Sequence, residues 1–109
     1  MNARRIKWAV QASYYTPIDG DPERLKLDAG QFVLVEGGRD RAVDAATNAF
    51  AQARLDRHAT NIVVSVLARA EFTRSWVEAG TFQKPATGGH PVMQWSNKPL
   101  FGEKPMVAV

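Results

Sequence analysis

Gly37 and Gly38 end an apolar run, FVLVE, and open an amphipathic one, RDRAVDAATNAF, so Gly37, Gly38, Arg39 and Arg41 are the residues whose types and order could hold an anion. A phosphate cradle needs backbone N–H groups converging at a helix start, spaced as G-x-x-x-x-G-K-[ST] or G-x-G-x-x-G. The segment EGGRDRA has neither spacing, and Glu36 and Asp40 flank it with negative charge. Glycine is also demanded by a tight strand-to-helix corner without any ligand. The two arginines therefore define a weak anion site inside what reads as a corner.

The remaining chemistry-bearing residues are scattered. His58 closes the amphipathic run and His90 sits in a turn, TGGHPV, so the two form neither H-E-x-x-H nor a close ligand pair. Asp19, Asp21, Glu23 and Asp28 crowd DGDPERLKLD, but not at the spacing of a calcium loop. No G-x-S-x-G elbow is present. The chain has no cysteine, which removes disulfides, thiolate catalysis and cysteine-ligated metals. These residues imply a non-enzymatic protein with no catalytic residue, no metal site and no cofactor; a small enzyme would need a site assembled only in three dimensions.

The 109 residues suit one domain, with 45% hydrophobic and 23% charged residues. Fourteen Lys and Arg oppose eleven Asp and Glu for a net charge of +3. The excess is small and unclustered, so it does not by itself indicate a polyanion partner. The opening MNARRIKWAVQA is basic and then apolar, but Lys7 and Gln11 interrupt it before an export core forms. No stretch approaches the length of a membrane span, so a cytoplasmic protein without membrane contact is expected.

Stepping through the elements, Ile6, Trp8, Val10, Ala12 and Tyr14 alternate with Arg5, Lys7, Ala9, Gln11 and Ser13, the period of a half-buried strand. TPIDGDPERLKLDAG, with two prolines and two glycines, reads as a loop, with room for a turn of helix at Pro22 to Leu27. QFVLVE reads as a second, central strand. Val43, Ala46, Phe50 and Ala53, with Ala42 and Ala49, fall on one helical stripe, with Asp40 in its first turn and Arg54 in its last. NIVVSVLARAEFTRSWV reads as one long strand, bent near Ala68 to Ala70, and a parallel crossover from FVLV is open to it. Beyond Gly80, four prolines and three glycines exclude a helix; PVMQWS suits a short strand and PMVAV another at an edge.

The expected fold is α+β: a small, mostly antiparallel sheet of about four strands, in the order β-β-α-β-β, with one main helix on one face and an extended C-terminal arm. The core domain is 1–79 and the Pro/Gly-rich arm 80–109, packing on the core or on a neighbouring subunit. One helix covers one face of such a sheet. Arg5, Lys7, Gln11, Arg69, Glu71 and Thr73 then mark the other face, and Arg5, Lys7, Arg69 and Trp95 are the candidates for single-stranded nucleic acid. The glycine–aromatic signature of an RNA-recognition motif is absent. Phe82, Trp95, Phe101 and Met106 are large apolar groups in the arm and the candidate partner-binding residues.

In size and in its strand–strand–helix–strand order, mainly over Phe32 to Phe72, the chain is similar to short accessory proteins of bacteriophages and prophages. That resemblance implies inhibition of a host machine, such as a defence complex, or a minor virion role. It carries no functional residue with it. The functional expectation is a protein-binding protein that occludes a macromolecular partner of unknown identity, as a homodimer; a nucleic-acid binder is the alternative.

Overall fold

The computed structural model describes residues 6–96. Its elements are β1 (Ile6–Ile18), β2 (Asp21–Ala29), β3 (Val33–Val35), α1 (Arg39–Arg54), β4 (Thr60–Ala70), β5 (Val77–Gln83) and β6 (Val92–Trp95). They make one α+β fold with a single six-stranded sheet in the order β2-β1-β4-β5-β6. β3 also pairs with β1, on the edge that β2 uses, so β2 and β3 lie end to end beside the long first strand. Every strand pair is antiparallel.

Six strands replace the expected four, and the difference has identifiable causes. The stretch read as a loop, Thr16 to Gly30, is the second half of a β-hairpin. Asp19 and Gly20 turn it with φ of 52° and 77°, the two left-handed positions of the tight hairpin turn that Asp-Gly favours. The QFVLVE strand is not central. It shrinks to three paired residues beside β1, and α1 then carries the chain to β4 on the other side of β1; both strands run antiparallel to β1, so β3 and β4 are parallel to each other, as the expected crossover requires. The long strand expected to Val77 stops at Ala70, where the Thr73 N–H and hydroxyl both donate to the Ala70 carbonyl and turn the chain. β5 spans the 79/80 junction between the expected core and arm, and β6 is the short strand read in PVMQWS.

The helix forms as its spacing requires. Ala42, Ala46, Phe50 and Ala53 are buried, and Arg41, Asp44, Asn48 and Arg54 are exposed. Alanines let the helix lie close to the sheet, where Trp8, Val10, Ala12, Val64, Val66 and Ala68 face it. Phe50 meets Phe82 edge-on at 5.8 Å, joining the helix to β5. Burying one such ring stabilises the fold by roughly 1.5–3 kcal/mol. Gly37, at φ +119°, makes the corner into the helix, where a Cβ would lie 2.7 Å from Arg41 Cγ.

At the far side, a bulge between Val66 and Leu67 turns both Ala79 and Gly80 inward. Gly80 lies directly beneath β6: an added Cβ would stand 2.5 Å from Met93 Cε, 2.7 Å from the Gln94 carbonyl and 3.1 Å from the Trp95 ring. Only glycine lets β5 and β6 approach so closely. Gly80→Ala is therefore expected to destabilise the fold by about 1–3 kcal/mol. Thermal denaturation of the two proteins checks this, and an unchanged midpoint would refute the contact.

Candidate interaction surface

Strand alternation divides the sheet into two chemically different faces. Trp8, Val10, Val64, Val66, Phe82, Met93 and Trp95 share the face beneath α1. Opposite them, register places Lys7 beside Arg69, Ala9 beside Leu67, Gln11 beside Ser65 and Ser13 beside Val63. Leu34 continues this row from Ala9, and Leu27 and Leu25 continue it from Tyr15 and Pro17. Among the described residues, no helix covers this second face.

The sequence-derived residues fall on both faces. Phe82 is 7% exposed and belongs to the core. Trp95 is half-buried against that core, with its ring edge-on to Trp8 at 6.0 Å. Lys7 and Arg69 do share the open face, but Arg69 is committed locally. Its Nη1 donates to the Thr73 carbonyl at 2.6 Å, and its guanidinium lies 5.3 Å from the Trp76 ring. Glu71 and Thr73 belong to the turn after β4, not to the sheet. Arg5, Phe101 and Met106 lie outside the described residues.

Gly37, Gly38, Arg39 and Arg41 do come together at the helix start, where Gly38 provides no side-chain cap. Arg39 nevertheless points its guanidinium at aromatic rings, 4.6 Å from Trp95 and 5.8 Å from Trp8. A cation in the first helical turn is unfavourable to the dipole, and the two indoles offset that cost. The arrangement clamps β6 to the helix.

Alternation alone did not reveal what dominates the open face. Leu34 is 68% exposed, Leu27 63% and Leu25 46%, with Phe32 and Tyr15 beside them also exposed. Trp76 reaches this surface from the turn before β5 and meets Phe32 edge-on at 5.3 Å. Ala9, on the same face by parity, is fully buried, consistent with cover from large neighbours. The signal for Leu25 and Leu27 was present in RLKLDA, an alternation of charged and apolar residues masked by the preceding Asp-Gly-Asp-Pro. Nothing in the sequence places Trp76 against Phe32.

No family model matches the chain, and no curated protein or solved structure matches it significantly. The site is therefore read from its own geometry. Its charged groups, among the described residues, lie towards its ends: Lys7, Arg69 and Glu78 at one, where Glu36 shares a hollow with Lys7, and Glu23 at the hairpin; Glu78 accepts a hydrogen bond from Ser65 Oγ at 3.1 Å.

Titratable groups gather instead around a 300 Å³ cavity at the hairpin, lined by Thr16, Lys26, Asp28, Asp56 and His58. Its carboxylates already have partners: Asp28 accepts from the Thr16 hydroxyl at 2.6 Å and Asp56 from the His58 backbone N–H at 2.9 Å. Among the described residues, no three His, Cys, Asp or Glu side chains converge as metal ligands do. A second cavity, 460 Å³ between Phe50 and Pro85, has Lys84 as the one ionisable side chain in its lining. No described helix is long and apolar enough to cross a membrane.

Removing the Arg39 clamp should loosen β6 without unfolding the sheet. Arg39→Ala is expected to cost about 0.5–2 kcal/mol and to shift tryptophan emission, since Trp8 and Trp95 both lose a charged neighbour. Fluorescence-monitored denaturation reads both quantities; identical spectra and midpoints would rule the clamp out.

Proposed function

We propose that this chain is a non-enzymatic protein–protein interaction protein, which works by docking the open face of its sheet on another protein surface and so covering it. The observation that carries the reading is the row of exposed Leu25, Leu27, Tyr15, Phe32 and Leu34 on a face whose charged side chains, among the described residues, sit towards its two ends. Scattered exposed apolar residues are ordinary; a row along one sheet face, with Trp76 packed against Phe32, has the composition of an interface core. Occlusion of a host complex, as the phage-protein resemblance implies, is one use of such a face.

Chemistry favours this reading over a strand-following nucleic-acid surface. Polyanion binding needs free cations along a groove together with stacking rings. Lys7 is exposed, but Arg69 is held by backbone carbonyls and Trp95 lies on the opposite face. The residues that do project from the open face are chiefly leucines, which neither stack on bases nor neutralise phosphates.

A photo-crosslinking amino acid in place of Leu34, in cells making the protein, should yield a discrete protein adduct. The same group in place of Thr47, on the exposed side of the helix, should not. An adduct to nucleic acid, or equal labelling from both positions, would dismiss the reading.

A further inference from the structure

We propose that the surface docked on this face is the same face of a second copy, related by a two-fold axis lying in the interface and perpendicular to the strands. The inference rests on the open-face reading above and names its partner.

The argument is one of self-complementarity. β3 and β2 occupy one column beside β1, with Ala9 opposite Leu34 and Pro17 opposite Leu25. Ala9 and Pro17 stand four residues to either side of Ser13, whose partner is Ala29. A two-fold axis at the level of Ser13 therefore carries Leu34 of one copy onto Leu25 of the other. Phe32, two positions before Leu34, is carried onto Leu27 by the same operation. Each end of the apolar row meets the other end, as an isologous contact requires.

The charges obey the same axis. Lys7 and Arg69 stand at one end of the face, in company with Glu36 beside Lys7 and Glu78 beside Leu67, so that end is mixed in charge. At the other end the hairpin tip carries three carboxylates, Asp19, Asp21 and Glu23, against one arginine, Arg24. The axis brings the end of each copy that carries Lys7 over the acidic tip of its partner, twice, and keeps the two tips apart. An axis parallel to the strands would instead stack acidic tip on acidic tip.

Area suffices as well. The molecule measures 53 × 30 × 21 Å, so its broad face exceeds the roughly 800 Å² per partner of a standard interface. Two sheets packed this way keep their strands within about 30° of each other and leave both helices outside.

Because the chain has no cysteine, single introduced cysteines report the register cleanly. The purified protein should sediment at twice the 12.0 kDa of the chain, and Leu34→Glu should sediment as a folded monomer with an unchanged circular dichroism spectrum. A mixture of Leu25→Cys and Leu34→Cys proteins should form the mixed disulfide at least tenfold faster than Leu34→Cys alone forms its own. Lys7→Glu should weaken the dimer and Lys7→Glu with Asp21→Lys should restore it.

A wild-type monomer at high micromolar concentration overturns the second-copy proposal. So does a dimer indifferent to Leu34→Glu, or faster crosslinking of Leu34→Cys to itself. If a wild-type monomer still gives a protein adduct at position 34 in cells, the open-face reading survives with a different partner. If it gives none, both fall.

Discussion

A sixteen-residue helix is about 24 Å long, and the molecule it must shield is 53 Å long with two sheet faces. That shortfall governs the rest of the structure. α1 seals the helix-side face over β1, β4 and part of β5, where alanines on both layers allow close packing. Among the described residues, nothing comparable lies on the other face. The radius of gyration of 15.7 Å, against about 13 Å for a compact chain of this size, records the same fact: the β1–β2 hairpin and the sheet extend past the helix.

Side chains compensate where they can. Trp76 and Phe32 meet above the open face, and the Arg69 guanidinium ties the following turn to the sheet through the Thr73 carbonyl. On the helix side, Arg39 sits against Trp8 and Trp95 and holds β6 down. Both devices use an arginine with an aromatic ring, and both consume cations that composition alone would credit to a polyanion surface. What they leave uncovered is the leucine row of β2 and β3. An apolar row of that length in water is the physical reason to expect a protein on top of it.

Much of the fold was legible because the signals were periodic and local. The first strand, the helix with its buried Ala42, Ala46, Phe50 and Ala53, and the short strand at Val92–Trp95 each follow from spacing alone. The hairpin was not, since Pro22 and the surrounding aspartates weigh towards a loop. Its outer strand tolerates them because it is an edge, with backbone donors to spare and solvent on one side. QFVLVE misled in the opposite direction: dense apolar residues suggested a central strand, yet the chain pairs there for three residues only.

The amino-acid sequence by itself determined the class of fold, the helix and its buried stripe, and the absence of any thiol chemistry, because these depend on neighbours within a few residues or on composition. It also required that one sheet face lack a helix, since it encodes only one long one. Tertiary structure decided which residues populate that face. Leu25, Leu27, Phe32 and Leu34 come from two segments that meet only because both pair with the same edge of β1, and Trp76 joins them from a turn more than forty residues after Phe32. Register between strands distant in sequence is fixed by which face the whole sheet buries as well as by local turns, so it is read only once the sheet is assembled.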